Sequence, residues 1–135
     1  MIHKLQLHIY YQDTDAGGIV YHSKYLDFAE RARSELLFEI GLSNTAMIEQ
    51  GIGIVVRQAS IDFKRSAKLD DLIEIRTTVR QIKNASMEME QTFWRNDELL
   101  VTIQLQLAFI NPQTMRPTRI SEQLKEKFIQ YNEEN

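Results

Sequence analysis

Behind residue 53 the chain crowds several runs of strict apolar/polar alternation together, separated by only a few turn-forming residues. Ile73, Ile75, Thr77 and Val79 share one phase of Leu72 to Ile82, and Met87, Met89, Gln91 and Phe93 share one phase of Ser86 to Trp94. Leu99, Val101, Ile103, Leu105, Leu107 and Phe109 form the longest such run, and Ile54 to Phe63 is a β-rich stretch carrying Ala59 and Ile61. A period of two places alternate side chains on one face of a strand, and connections as short as Lys83-Asn84-Ala85 or Asn96-Asp97 permit only antiparallel neighbours. Such a chain is bound to an antiparallel sheet with one face to bury.

One long helix is predicted ahead of those strands to cover that face. Tyr25, Phe28, Ala29, Ala32, Leu36, Leu37 and Ile40 recur at three- and four-residue steps, while Lys24, Asp27, Glu30, Arg31, Ser34 and Glu35 fill the opposite side. Ser23 is the expected cap and Gly41 the expected stop. Upstream, Leu5, Leu7, Ile9 and Tyr11 alternate with polar residues as a first strand with one buried face, in which His3 and His8 read as ordinary strand residues. Downstream, Leu42 to Gln50 reads as a connector with a short helical turn, and Ser121 introduces a short helix with Leu124, Phe128 and Tyr131 on one side, to pack at the sheet edge. Glu133-Glu134-Asn135 is expected to fray. The fold class is α+β, in a single domain over residues 1–135.

Composition removes several functions. With a net charge of -3 there is no global attraction to nucleic acid, and a phosphate-bearing partner needs a local basic cluster, of which Lys64, Arg65 and Lys68 are the densest. That cluster is either a hydrated turn or a contact for nucleotide phosphates. The absence of cysteine excludes disulfides and thiol chemistry. The alternating first residues lack the continuous apolar core of a signal peptide or membrane anchor, so a cytoplasmic protein without a transmembrane segment is expected.

Chemistry concentrates between the first strand and the helix, in Asp13-Thr14-Asp15-Ala16-Gly17-Gly18-Ile19-Val20-Tyr21-His22. The first turn of a helix presents N–H groups without intrahelical partners and partial positive charge, and the glycines allow a carboxylate to fold back towards it. A carbonyl polarised at such a helix end can be attacked by a carboxylate or by water that a carboxylate activates. On spacing alone Asp15 reads more as a turn or capping residue than as a catalytic one, and Asp13 reads as a loop-holding residue. Tyr21 and Tyr25 are candidates for pocket wall or core. Asp13 and Asp15 lack the accompanying carboxylate or histidine cluster of a metal site, so no metal is expected.

The segment from Tyr11 to His22, with Tyr25 and Glu30-Arg31-Ala32-Arg33 behind it, closely resembles the hotdog-fold acyl-CoA thioesterases of the 4-hydroxybenzoyl-CoA thioesterase-like group. Within that group it looks most like the YbgC-type branch linked with the bacterial Tol-Pal envelope system. The likeness continues through Val55-Val56-Arg57, Leu69 to Ile75 and Pro112 to Pro117. It implies a five-stranded antiparallel sheet wrapped around one central helix, assembled as a homodimer or tetramer through sheet edges, with sites at the subunit interface. It further implies hydrolysis of an acyl-CoA to a free acid and coenzyme A, with no cofactor. Asp15 matches the family's catalytic carboxylate, as nucleophile or base, and His22 the position whose backbone N–H polarises the carbonyl. Gly17, Gly18, Ile19, Val20, Tyr21 and Tyr25 would surround the substrate, with Lys64 and Arg65 at the nucleotide. Ala16-Gly17-Gly18 replaces the proline that follows the aspartate in the 4-hydroxybenzoyl-specific enzymes, which favours a non-aromatic acyl group. Two other functions suit the same residues: a binding module for acyl groups or acyl-carrier protein, and a 3-hydroxyacyl-thioester dehydratase that would use the His22 imidazole.

Overall fold

The computed structural model describes residues 1–132; the fraying expected of Glu133-Glu134-Asn135 falls outside them. Five strands, β1 (His3–His8), β2 (Gly53–Phe63), β3 (Leu72–Ile82), β4 (Ser86–Arg95) and β5 (Glu98–Ile110), form one antiparallel sheet in the order β1-β3-β4-β5-β2. The helices are α1 (Lys24–Glu39), α2 (Asn44–Glu49) and α3 (Glu122–Ile129). All seven apolar positions predicted for the inner side of α1 are buried, together with the inward residues of β3 and β4. Helix and sheet thus close on one core, the hotdog arrangement that the resemblance implies.

The ends of α1 differ from each other. Gly41 adopts φ 81°, and the N–H groups of Gly41 and Leu42 return to the carbonyls of Phe38 and Leu37, a Schellman stop that needs the left-handed residue. Ser23, expected to cap the other end, has helical dihedrals and makes no capping bond. The side chains of Ser43 and Ser121 do cap α2 and α3, accepting from Ala46 N and Leu124 N. Beyond α3, Tyr131 O accepts the Val79 N–H, so the tail covers the β3 edge that β1 is too short to reach.

Three departures from strict alternation come from local geometry. The first strand ends at His8: the Asp13 carboxylate accepts the Tyr10 N–H at 2.9 Å and tightens residues 11–13 into a 3-10 turn. Tyr11, expected to point inward, is consequently 82% exposed. In β5 the register against β4 slips between Phe93 and Trp94, so that Leu100 and Val101 are both buried, and the expected inward residue Leu99 gives way to Leu100. In β2 a slip at Arg57 reverses the phase, leaving Ile54 and Val56 on one side of it and Ala59, Ile61 and Phe63 on the other, all opposite buried residues of β5.

Candidate active site

Residues 13–21 fold into a miniature hairpin. Tyr21 N donates to Asp13 O, Asp15 N to Ile19 O, and Thr14 bridges Val20. Asp15 sits where this hairpin turns: its Oδ1 accepts the N–H groups of Gly17 at 2.8 Å and Ile19 at 3.1 Å, while Gly18, at φ 76°, donates to its carbonyl. The carboxylate is exposed, and Oδ2 has no hydrogen-bond donor among the described residues. One oxygen therefore fixes the orientation of the group and the other is open to a reactant. Asp13, by contrast, is buried, bonded to Tyr10 N and 3.7 Å from Lys24 Nζ, the loop-holding role expected of it.

The other arm leads straight into α1. Neither His22 N–H nor Ser23 N–H has an acceptor among the described residues, so free donors lie at the positive end of the helix. The His22 ring stacks on Phe63 at 4.4 Å between centroids, an exposed anchor at the end of β2. Asp15 and His22 lie in the same loop, with no hydrogen bond or ion pair joining them among the described residues.

The loop is clamped from below by residues 67–69. Ala67 O accepts Val20 N, Leu69 N donates to Gly18 O, and Ile19 bridges Lys68. Tyr25 Oη accepts the Ala67 N–H at 2.9 Å, and the ring meets Phe63 and Phe93 edge-on. Burial raises the Tyr25 pKa, its bond with Ala67 opposing. Tyr25 and Val20 thus belong to the core, while Gly17, Ile19 and Tyr21 are exposed around Asp15.

Of the basic residues, Arg65 is paired with Glu98 at 3.2 Å, and Glu98 also holds Arg95, which holds Asp71. Those bonds raise the Arg95 pKa. Lys64 and Lys68 are exposed without an ion pair among the described residues. The fold brings this segment beside the loop, because Phe63 touches His22 and Lys68 bridges Ile19.

A cavity of about 630 Å³ lies elsewhere in the chain, between α1, α2 and the Gly53 end of β2. Neither Asp15 nor His22 lines it; Arg33 does. Its Nη1 reaches under the helix to Gln91 Oε1 at 2.9 Å. Gln91, fully buried, donates in turn to Ala29 O and Thr77 Oγ1. Burial lowers the Arg33 pKa from its ordinary value, with Glu30 opposing. A glutamine in the inward phase of an otherwise apolar strand was the sequence signal for this network; Phe63 gave no signal beyond its place in β2. Among the described residues, no group of three or more His, Cys, Asp or Glu is placed to hold a metal ion.

A family model described as the thioesterase-like superfamily matches residues 10–128, from the start of the hairpin loop to α3. The chain belongs to that superfamily. Members with curated names include the acyl-CoA thioesterase YbgC of Haemophilus influenzae, 38% identical over 121 residues and 89% of each chain. The YbgC acyl-CoA thioesterase of Helicobacter pylori strain 26695 is 32% identical, over 90% of this chain and 96% of its own. Among solved structures, a probable thioesterase from Bartonella henselae superposes with a TM-score of 0.83 at 36% identity, covering 90% of this chain and all of that one. A 1,4-dihydroxy-2-naphthoyl-CoA thioesterase from Synechocystis superposes at 0.86 with 21% identity, over 95% and 96% of the two chains, and shows the shared superfamily fold.

Proposed function

We propose that this chain is an acyl-CoA thioester hydrolase in which Asp15 supplies the carboxylate and the amino end of α1, at the His22 N–H, polarises the thioester carbonyl. The observation that carries the reading is the split role of the Asp15 carboxylate, one oxygen fixed by two loop amides and the other open. A thioester carbonyl is electrophilic and its thiolate leaves readily, so a placed carboxylate and a donor for the developing oxyanion suffice, without metal or organic cofactor. Asp15 Oδ2 attacks the carbonyl carbon, or takes a proton from a water that does. The C–S bond breaks and the sulfur leaves as the coenzyme A thiolate: in the first route water then hydrolyses the Asp15–acyl anhydride to the acid, and in the second the acid forms at once and the proton held by Asp15 passes to the thiolate.

The assembly proposed is a homodimer through β2. This edge strand leaves its outer hydrogen-bonding side unpaired, and Val56 and Phe63, on the core side of the sheet, are exposed at 47% and 41%. Antiparallel pairing of two β2 strands about their midpoint sets the Gly53 end of one beside the Phe63 end of the other. The cavity of one subunit then adjoins Asp15 and His22 of its partner, which reconciles the distance between cavity and carboxylate within one chain. Lys64 and Lys68, beside the loop and without an ion pair among the described residues, are assigned to the coenzyme A phosphates. The absence of cysteine suits the cytoplasm, where the activity is placed, and the association with the Tol-Pal system belongs to the same proposal. No helix among the described residues is long and apolar enough to cross a membrane.

Thiol release from short, long and aromatic acyl-CoAs, with an acyl-carrier-protein thioester alongside, tests the assignment. Asp15→Asn keeps an oxygen for Gly17 and Ile19 and removes the charge. Turnover is expected to fall by about a hundred-fold or more in the folded variant. Turnover within a few-fold of the unaltered chain would remove Asp15 from the chemistry. Binding without turnover in either protein would instead support an acyl-group binding module.

A further inference from the structure

Arg33 poses an electrostatic problem. Its guanidinium is partly buried in the wall of the 630 Å³ cavity, and its one hydrogen-bond partner among the described residues is the neutral amide of Gln91. Among the described residues no carboxylate lies within ion-pair distance; Glu30, one turn earlier on the same wall, is exposed and acts on it only from farther away. Arginine stays charged, and a charge partly withdrawn from water with no counter-ion in contact carries a desolvation penalty. Around it the cavity is chiefly apolar, with Leu37, Met47, Ile54, Met87 and Leu107 in its walls. A neutral aliphatic ligand would fill those walls and leave the guanidinium unpaired. An inorganic anion would pair with the guanidinium and leave the walls bare. A molecule with an aliphatic body and one carboxylate satisfies both.

We propose that this cavity is a binding site for an aliphatic carboxylate, the head group accepting from the Arg33 guanidinium and the body lying along the apolar walls. Two sources supply that chemistry: the free acid released by thioester hydrolysis, or a carboxyl at the far end of an acyl chain still joined to coenzyme A. The source rests on the thioesterase reading above; the binding does not.

The test compares octanoate with octanamide, which has the same body and no charge, by calorimetric titration of the full chain. Octanoate is expected to bind at least ten-fold more tightly, Arg33→Gln to abolish the difference and Arg33→Lys to keep part of it. Equal affinity for the two ligands overturns the proposal, as does an octanoate preference that survives in a folded Arg33→Gln protein. The contrast on the unaltered chain stands even if the glutamine variant does not fold. The sources separate in turnover: Arg33-dependent inhibition by octanoate assigns the site to the released acid, and Arg33-dependent preference for adipyl-CoA over hexanoyl-CoA assigns it to the substrate. Absence of any turnover would sink the thioesterase reading while the titration remained decisive for the site.

Discussion

Replacing Gln91 by leucine exposes how much the polar network under α1 contributes. Leucine nearly conserves the volume, so the cost lies in bonds rather than in a cavity. Three are lost: those to Ala29 O and Thr77 Oγ1, and the one accepted from Arg33. The neutral pair are worth about 1 kcal/mol each and the charged one about 1.5–3 kcal/mol, giving a loss of about 3.5–5 kcal/mol. Ala29 O keeps its place in the helix and Thr77 can reorient, whereas Arg33 loses the Gln91 oxygen that accepts from it, so the guanidinium dominates. In a chain of this size the loss lowers Tm by about 10–20 °C. Urea unfolding of Gln91→Leu, Arg33→Met and the double variant should show strong coupling, the double costing about 1.5–3 kcal/mol less than the sum, because no buried charge is then orphaned. A loss below about 1 kcal/mol for Gln91→Leu, or additive losses in the double, would refute the argument.

Other outcomes follow from single residues. A methyl group on Gly18 meets nothing within 4 Å, so Gly18→Ala costs only the strain of φ 76°, about 1–2 kcal/mol in urea unfolding, and should slow thiol release by disturbing the turn that holds Asp15. His3 is buried with Nδ1 unpartnered among the described residues and Nε2 3.7 Å from Glu39, too far for a hydrogen bond; burial holds its pKa below 6.5, against the opposing carboxylates of Glu39 and Glu35. Between that lowered value and 6.5 the unfolded chain binds a proton that the folded chain refuses, so stability from this residue is full above pH 6.5 and declines as pH falls through the window. Denaturant melts from pH 8 to pH 5 should show that decline, and His3→Leu should flatten it.

The helix and the faces of β3 and β4 were legible because each is governed by a period, 3.6 or 2, that burial on one side imposes. The hairpin glycines and Asp15 were legible as a motif. Leu100, Tyr11 and the phase of β2 were not, because a single inserted residue or one carboxylate capturing an amide reverses which side faces inward, and residue type does not record it. Ser23 had the composition of a cap, but its backbone is already helical and its hydroxyl makes no capping bond.

The sequence by itself determined that an antiparallel sheet must bury one face on one long helix, and that a glycine-containing loop carrying Asp13 and Asp15 leads into that helix, since periodicity and turn residues act locally. Only the tertiary structure decided that Phe63 buttresses His22, that Ala67 is gripped by both Tyr25 and the hairpin, and that Arg33 dips under the helix to Gln91. Those contacts join residues far apart in the chain, and their energies depend on distances that exist only once the sheet has closed over the helix.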